Sequence, residues 1–212
     1  MSSRPDSSLL PSFASMIDRR LVLTGLAAAG LPRSALAADA TGAVESLTGA
    51  STAQARGATR TLAEGADIFV GDLVTTSEAA RLVMKLGEAT RVFMGASVKL
   101  RIDKYLAGKS GELRFEGGPM LIDRAESVPH MDLKLRSPFG LVALRGTKVF
   151  AGPSNGVFGV FVARGSVNFT SGGATVRVNA GQGSDVRRPG GRPSPARAWD
   201  EARIEAALAS VN

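Results

Sequence analysis

The sequence contains no cysteine and only one histidine, His130. Without cysteine there can be no disulfide framework, no thiolate metal site and no cysteine nucleophile. One histidine cannot build a metal site by itself, and His130 follows Pro129 in what we expect to be a surface loop. Phosphate-binding glycine motifs, metalloprotease helices and calcium-binding loops are missing too. An enzyme is therefore the weaker hypothesis, and we expect no catalytic residue, no cofactor and no metal.

Apolar runs long enough to cross a bilayer, which takes about 20 residues, are also missing. The stretch 21–31 is apolar but too short, and it fits the central segment of a signal peptide. Arg19 and Arg20 precede it, and a small-x-small cleavage site from Ala35 to Ala37 follows. We interpret residues 1–37 as a signal peptide and expect no transmembrane segment in the mature chain.

Adjacent arginines before the apolar stretch resemble the twin-arginine export consensus. The stretch is only mildly hydrophobic, and Arg33 places a positive charge just before the cleavage site. These features favour twin-arginine export. The alternative is an ordinary secretory signal that happens to contain two arginines. Either interpretation predicts a periplasmic or secreted protein.

Aromatic residues make up only 5% of the chain, whereas glycine occurs 25 times. This balance favours short strands joined by tight turns. Apolar and polar residues alternate in 81–86, 98–103 and 131–136, which is typical of strands with one buried face. The sequence therefore predicts an all-β fold for 38–186, a compact twisted domain of the sandwich or solenoid-like type.

The composition changes after Val186. Residues 187–194 form a polar linker, and Ser194 with Pro195 resembles the start of a helix. We predict one short C-terminal helix over 195–212, anchored on the β-domain by Trp199. Arg203 is expected to face solvent on this helix.

The formal net charge of +7 indicates anionic partners. Export argues against nucleic acid and favours anionic lipid, lipopolysaccharide, a wall polymer or an envelope protein. Arg81, Lys85, Lys99 and Arg101 alternate with apolar residues, and we expect them to form one basic binding face. The alternative is that these are scattered, solvated cations.

The segment 152–156 matches the G-x-S-x-G string of serine hydrolases, with Ser154 at its centre. Such a nucleophile needs a strand before it, a helix after it and a later histidine. Both flanks here predict strands, and no histidine follows. The sequence Ser-Asn-Gly instead predicts a hairpin turn.

Arg145 lies within the apolar stretch 141–150. A buried arginine must find several acceptors, so we predict that Arg145 is a structural clamp and that Gly146 allows a close backbone approach. The alternative is an edge-strand arginine that faces water.

Order and spacing of several short motifs resemble the FecR-type domain family. The matching segments are 42–44, 62–65, 71–76, 86–92, 144–147 (which contains Arg145, Gly146 and Thr147), 162–167 and 178–183. The resemblance implies a twisted, solenoid-like β-domain of the cell envelope without catalytic residues. The best-known family members look like membrane-spanning regulators of sigma factors.

The chain departs from that plan, since we expect a signal peptide where those regulators have a sigma-binding segment. Only about 25 residues follow the β-domain, so no separate receptor-contacting module is expected. Two hypotheses of function follow. The chain is an exported recognition module that binds an envelope protein or anionic polymer and feeds envelope signalling, or it is a structural component of an envelope assembly.

Overall fold

The computed structural model describes residues 39–106, 109–125 and 132–212. Within these residues the chain forms eighteen strands and one helix. They are β1 (Gly42–Thr48), β2 (Ser51–Ala55), β3 (Ala58–Thr61), β4 (Asp67–Ile68), β5 (Leu73–Thr76), β6 (Arg81–Leu86), β7 (Thr90–Met94), β8 (Lys99–Leu106), β9 (Ser110–Gly117), β10 (Met120–Arg124), β11 (Asp132–Ser137), β12 (Gly140–Leu144), β13 (Lys148–Ser154), β14 (Val157–Arg164), β15 (Ser166–Ser171), β16 (Ala174–Asn179), β17 (Gln182–Val186), β18 (Arg197–Ala198) and α1 (Glu201–Ala209).

The strands are divided equally between two sheets. Sheet A has the order β18-β17-β14-β13-β10-β7-β6-β1-β4, and sheet B has the order β16-β15-β12-β11-β9-β8-β5-β2-β3. Strand numbers rise in the same direction along both sheets, apart from the short strands at one end. The chain therefore crosses repeatedly between the sheets as it advances. This is a sandwich-like all-β fold, as the sequence predicted.

Alternating side chains from both sheets meet in one apolar core. Leu82 and Met84 of β6, Leu100 and Ile102 of β8, and Leu133 of β11 are fully buried. Their sequence neighbours point away from the core, so the period of two locates the buried face correctly. Tyr105 closes one part of this core by donating its hydroxyl proton to the Leu86 carbonyl at 2.6 Å.

Two strands of sheet A are buried on both faces. β13 and β14 carry runs of four and five consecutive buried residues. Their outer face packs in a second apolar cluster, formed by Leu121, Phe150, Phe161, Trp199, Ala207 and Val211. The C-terminal segment thus covers the middle of sheet A.

The helix begins later than the sequence predicts. Its N-cap is Asp200, whose carboxylate accepts the Arg203 N–H at 2.9 Å. Ser194 is not a cap, because its hydroxyl accepts the backbone N–H of Asp185 at 3.0 Å. The chain continues beside β17 and pairs with it as β18. Strand pairing therefore replaces the first predicted turns, while the anchoring role predicted for Trp199 is confirmed by its burial.

The segment 152–156 is a hairpin, as predicted. β13 and β14 pair from Lys148 to Ser154, and the turn is made by Asn155 and Gly156 at φ of +50° and +75°. Two successive positive φ values are the signature of the tight turns that asparagine and glycine favour.

Candidate binding surface

The outer face of sheet B, meaning the side turned away from the core, is polar and is not covered by the helix. On β8, β9, β11 and β16 and at the end of β12, this face carries eight basic side chains, which are Lys99, Arg101, Lys104, Arg114, Lys134, Arg136, Arg145 and Arg177. It carries four acidic side chains on the same elements, which are Asp103, Glu112, Glu116 and Asp132. The excess of cations gives this face a net positive charge.

Strand register brings three arginines into one row. Arg101 pairs with Arg114 across β8 and β9, and Arg114 pairs with Arg136 across β9 and β11. Like charges directly opposite each other on a sheet are destabilising. The row therefore needs compensating anions, either from the protein or from a ligand.

Two acidic side chains partly neutralise the charge of this row. Each lies on a strand next to that of the arginine it binds. Arg114 donates to Asp103 at 3.0 Å, and Arg136 forms an ion pair with Glu112. Within the described part of the chain, Arg101 donates to the Gly71 carbonyl at 3.3 Å and forms no ion pair. Exposed pairs of this kind contribute about 0–1 kcal/mol each. The surface thus retains a positive field while its arginines are held in place.

A shallow groove of about 460 Å³ lies at one end of this face. Small side chains, Ala143, Ser166 and Asn168, line its floor, and Lys134 and Arg177 stand on either side. Arg145 and Asp132 lie at its end, where the guanidinium donates to the carboxylate at 3.4 Å. The groove is therefore rich in cations and in hydrogen-bond donors.

The four cations that the sequence assigned to one face lie on two sheets. Arg81 and Lys85 belong to β6 in sheet A, whereas Lys99 and Arg101 belong to β8 in sheet B. Periodicity shows which residues point outward but not to which sheet a strand belongs. The prediction that all four cations form one face is therefore wrong. Lys99 and Arg101 share the outer face of sheet B, and Arg81 instead binds the carbonyl oxygen of Asn212.

Arg145 is not a buried clamp. Its side chain is 73% exposed, and among the described residues its one ion-pair partner is the exposed carboxylate of Asp132. The apolar neighbours that suggested burial point to the core, as Leu144 does, or follow the turn at Gly146. Gly146 has a φ of +58°, which explains a glycine there, and Thr147 is fully buried. The family-like motif is therefore a turn that leaves its arginine in solvent.

Arg203 is the clamp that the sequence missed, so its predicted exposure is wrong. Its guanidinium donates to Asp185 at 2.7 and 3.1 Å and to the Ser154 hydroxyl at 2.9 Å. It also stacks on Trp199, with its Cζ 3.6 Å from the ring centroid. A helical arginine four residues after a buried tryptophan is the only signal that the sequence offered.

A second clamp holds the opposite end of the fold. Arg60 of β3 donates to both carboxylate oxygens of the buried Asp72, at 2.8 and 2.5 Å, and to the Asp67 carbonyl. The hydrogen bonds to Asp72 raise the pKa of Arg60 above its ordinary value. Asp72 also accepts the Phe69 N–H at 2.7 Å, so it closes its own turn. This role is structural, and it accounts for the Gly71-Asp72 motif.

Other predicted residues lie outside the described part of the chain. These are the export residues Arg19, Arg20, Ala35 and Ala37, and the single histidine, His130. In the described residues no group of three or more metal-ligating side chains is close enough to hold a metal ion. Across those same residues, α1 is far too short to cross a membrane, and no longer apolar helix is present.

Comparison with known proteins places the fold but not the family. No family model matches the chain, and no curated protein matches it. Two crystal structures of a protein from Parabacteroides distasonis, named a "putative anti-sigma factor", are similar to it with a TM-score of 0.53 and 14% sequence identity. The match covers 64% of this chain and 64% or 63% of the other. At this identity the likeness establishes a shared fold.

Proposed function

We propose that the protein is an exported, non-enzymatic recognition module of the FecR type, which binds an anionic partner in the cell envelope through the outer face of sheet B. The observation that carries this proposal is the uncovered face with eight basic and four acidic side chains. Such a face attracts anionic partners over distances of about one Debye length, roughly 10 Å at 0.1 M salt.

The likeness to the Parabacteroides distasonis protein supports a role in signalling, because that protein carries the name of a sigma-factor regulator. The order of the FecR-like motifs supports the same class. Binding at the face would then be the input of an envelope signalling system. Twin-arginine export through Arg19 and Arg20 completes the proposal, since it would deliver the domain to that compartment.

The test is retention of cell-envelope material by the purified chain at rising salt. We expect retention to fall steeply between 0.05 and 0.5 M salt, on the order of tenfold, because the Debye length shrinks over this range. The double charge reversal Lys99→Glu with Arg101→Glu should abolish retention. The matched reversal Arg81→Glu with Lys85→Glu, on sheet A, should leave it intact.

Two outcomes would contradict the proposal. Retention that is indifferent to salt and to both reversals would favour a structural component of an envelope assembly. Equal loss in both double variants would show that total charge matters and the face does not.

Export is tested separately by replacing both Arg19 and Arg20 with lysine. Undiminished export of that variant would rule out the twin-arginine route.

A further inference from the structure

One row of residues crosses four adjacent strands of sheet B at the groove. Lys134 pairs with Ala143, Ala143 pairs with Asn168, and Asn168 pairs with Arg177. All four side chains lie on the outer face, since the residues before and after each of them point into the core. The row therefore has a cation at each end and two smaller, uncharged side chains between them. We call this the groove row.

The spacing of the groove row is fixed by the sheet. Neighbouring strands lie about 4.8 Å apart, so three strand spacings put the backbones of Lys134 and Arg177 about 14 Å apart. An extended peptide advances about 3.4 Å per residue and points residues i, i+2 and i+4 to the same side. Its side chains at i and i+4 are therefore about 13.5 Å apart. An extended segment laid across the strands would match both cations.

Neither end of the groove row is neutralised by a carboxylate of the described residues. Within the described residues, no carboxylate lies within ion-pair distance of Lys134 or Arg177. Arg177 donates only to the Ser166 hydroxyl, at 3.2 Å. Both cations are exposed and free to bind an incoming anion, and an arginine fork suits a carboxylate well.

The groove floor distinguishes a peptide from other polyanions. Asn168 offers both an amide donor and a carbonyl acceptor. Its acceptor can bind a peptide N–H group and its donor can bind a peptide carbonyl, whereas a phosphate or sulfate chain offers acceptors alone. None of the described residues that line the groove is aromatic, so the groove offers no ring on which a sugar could stack.

We propose that the groove row binds an extended acidic segment of a partner protein, with carboxylates four positions apart engaging Lys134 and Arg177. The segment runs across β11, β12, β15 and β16, and its backbone lies over Ala143 and Asn168. This proposal rests on the proposed function for the choice of face, and it adds the partner class and the spacing that the groove selects.

The test uses the purified full chain and three fluorescent seven-residue peptides, built on a serine and threonine background. The first carries two glutamates four positions apart, the second carries them side by side, and the third carries glutamines four positions apart. We expect the first to bind at least fivefold more tightly than the second, because only its spacing matches the row. The third should not bind measurably.

Variants locate the site of binding. Lys134→Glu and Arg177→Glu should each weaken the spaced peptide at least fivefold, while Lys85→Glu, the same charge change on sheet A, should change its affinity less than twofold. Ala143→Met should block the middle of the row and weaken binding without changing the charge of the groove. Equal affinity for spaced and adjacent glutamates would overturn the proposal, as would insensitivity to Lys134→Glu and Arg177→Glu.

Competing polyanions separate this proposal from the broader one. Inorganic polyphosphate and vesicles of anionic phospholipid are offered to the same chain and variants. Binding of either, sensitive to Lys99→Glu and Arg101→Glu, with no binding of the spaced peptide, would overturn the peptide proposal and leave the basic face standing. If neither the peptide nor any polyanion binds, both proposals fail.

Discussion

The outer faces of the two sheets differ in whether other residues of the chain cover them. In the middle of sheet A the outer face is apolar and is covered by Trp199 and α1, so β13 and β14 have long buried runs. The outer face of sheet B is charged and stays in solvent, so buried and exposed residues alternate along β11. The difference indicates that sheet A contributes stability on both faces, whereas sheet B leaves one face available for binding.

This comparison has consequences for mutation. Substitutions on the covered face should change the free energy of unfolding and leave binding to the groove intact in molecules that remain folded. Substitutions on the bare face should do the reverse. Four substitutions test whether the two faces are as separate as the structure indicates.

Trp199→Ala should have the largest effect, lowering the free energy of unfolding by about 3–5 kcal/mol. The ring is buried against Phe161, with their centroids 5.1 Å apart, and against Phe150. Chemical denaturation followed by circular dichroism measures the change. The control is Leu106→Ala on sheet B, whose side chain is 48% exposed, and it should cost less than about 0.5 kcal/mol. Equal costs would show that the packing of Trp199 does not stabilise sheet A.

Arg203→Ala should lower the free energy of unfolding by about 1.5–3 kcal/mol. The change removes a side chain that is only 11% exposed, leaves Asp185 without its ion-pair partner and uncovers one face of Trp199. Arg203→Lys should restore only part of the loss, because lysine lacks the planar fork. Arg197→Ala, at an exposed position on β18, is the matched control. The single tryptophan makes intrinsic fluorescence a direct measure of docking in these variants.

Gly183→Ala should lower the free energy of unfolding by about 1–3 kcal/mol through overpacking. A Cβ at Gly183 would lie 2.1 Å from Nε1 of Trp199, so the indole would have to move away from sheet A. Gly117→Ala at the end of β9 is the matched control on sheet B, because a Cβ there meets no heavy atom within 4 Å. Similar midpoints of denaturation for the two variants would contradict the tight packing of the tryptophan.

The two sheets also show which features of the fold can be predicted from the sequence and which cannot. The alternation in 81–86 predicted β6 correctly, since one face of that strand is buried and the other is not. It could not assign strands to sheets, because both sheets share one core and the same period. The basic face therefore combined Arg81 and Lys85 with Lys99 and Arg101, which lie in the other sheet.

The two arginines show a further limit of sequence patterns. Arg145 was interpreted as buried because apolar residues surround it in sequence, yet side chains along a strand alternate, so its apolar neighbours lie on the opposite face. For Arg203 the predicted exposure to solvent is wrong. Its partners, Ser154 and Asp185, come from β13 and β17 and meet it only through tertiary packing.

The predicted start of the helix is wrong for a similar reason. Ser194 and Pro195 satisfy the local rules for a helix start, but a strand edge at β17 was available and competed for the same backbone. Pairing with β17 satisfies backbone groups that a first helical turn would leave free. At this boundary the tertiary hydrogen bonds outweigh the local signals for a helix start. The observed cap at Asp200 follows the same capping rule six residues later.

The smallest effect is expected at Arg145, where Arg145→Ala should change the free energy of unfolding by less than about 0.5 kcal/mol. The guanidinium is largely in solvent, and its 3.4 Å contact with Asp132 joins two exposed groups. Denaturation midpoints of Arg145→Ala and Arg203→Ala, measured side by side, compare one arginine from each face. The same Arg145→Ala variant should weaken the spaced acidic peptide, because it removes a cation from the end of the groove. A stable variant with altered peptide affinity would assign Arg145 to the binding face. A large loss of stability would restore the clamp and show that the bare face also holds the fold together.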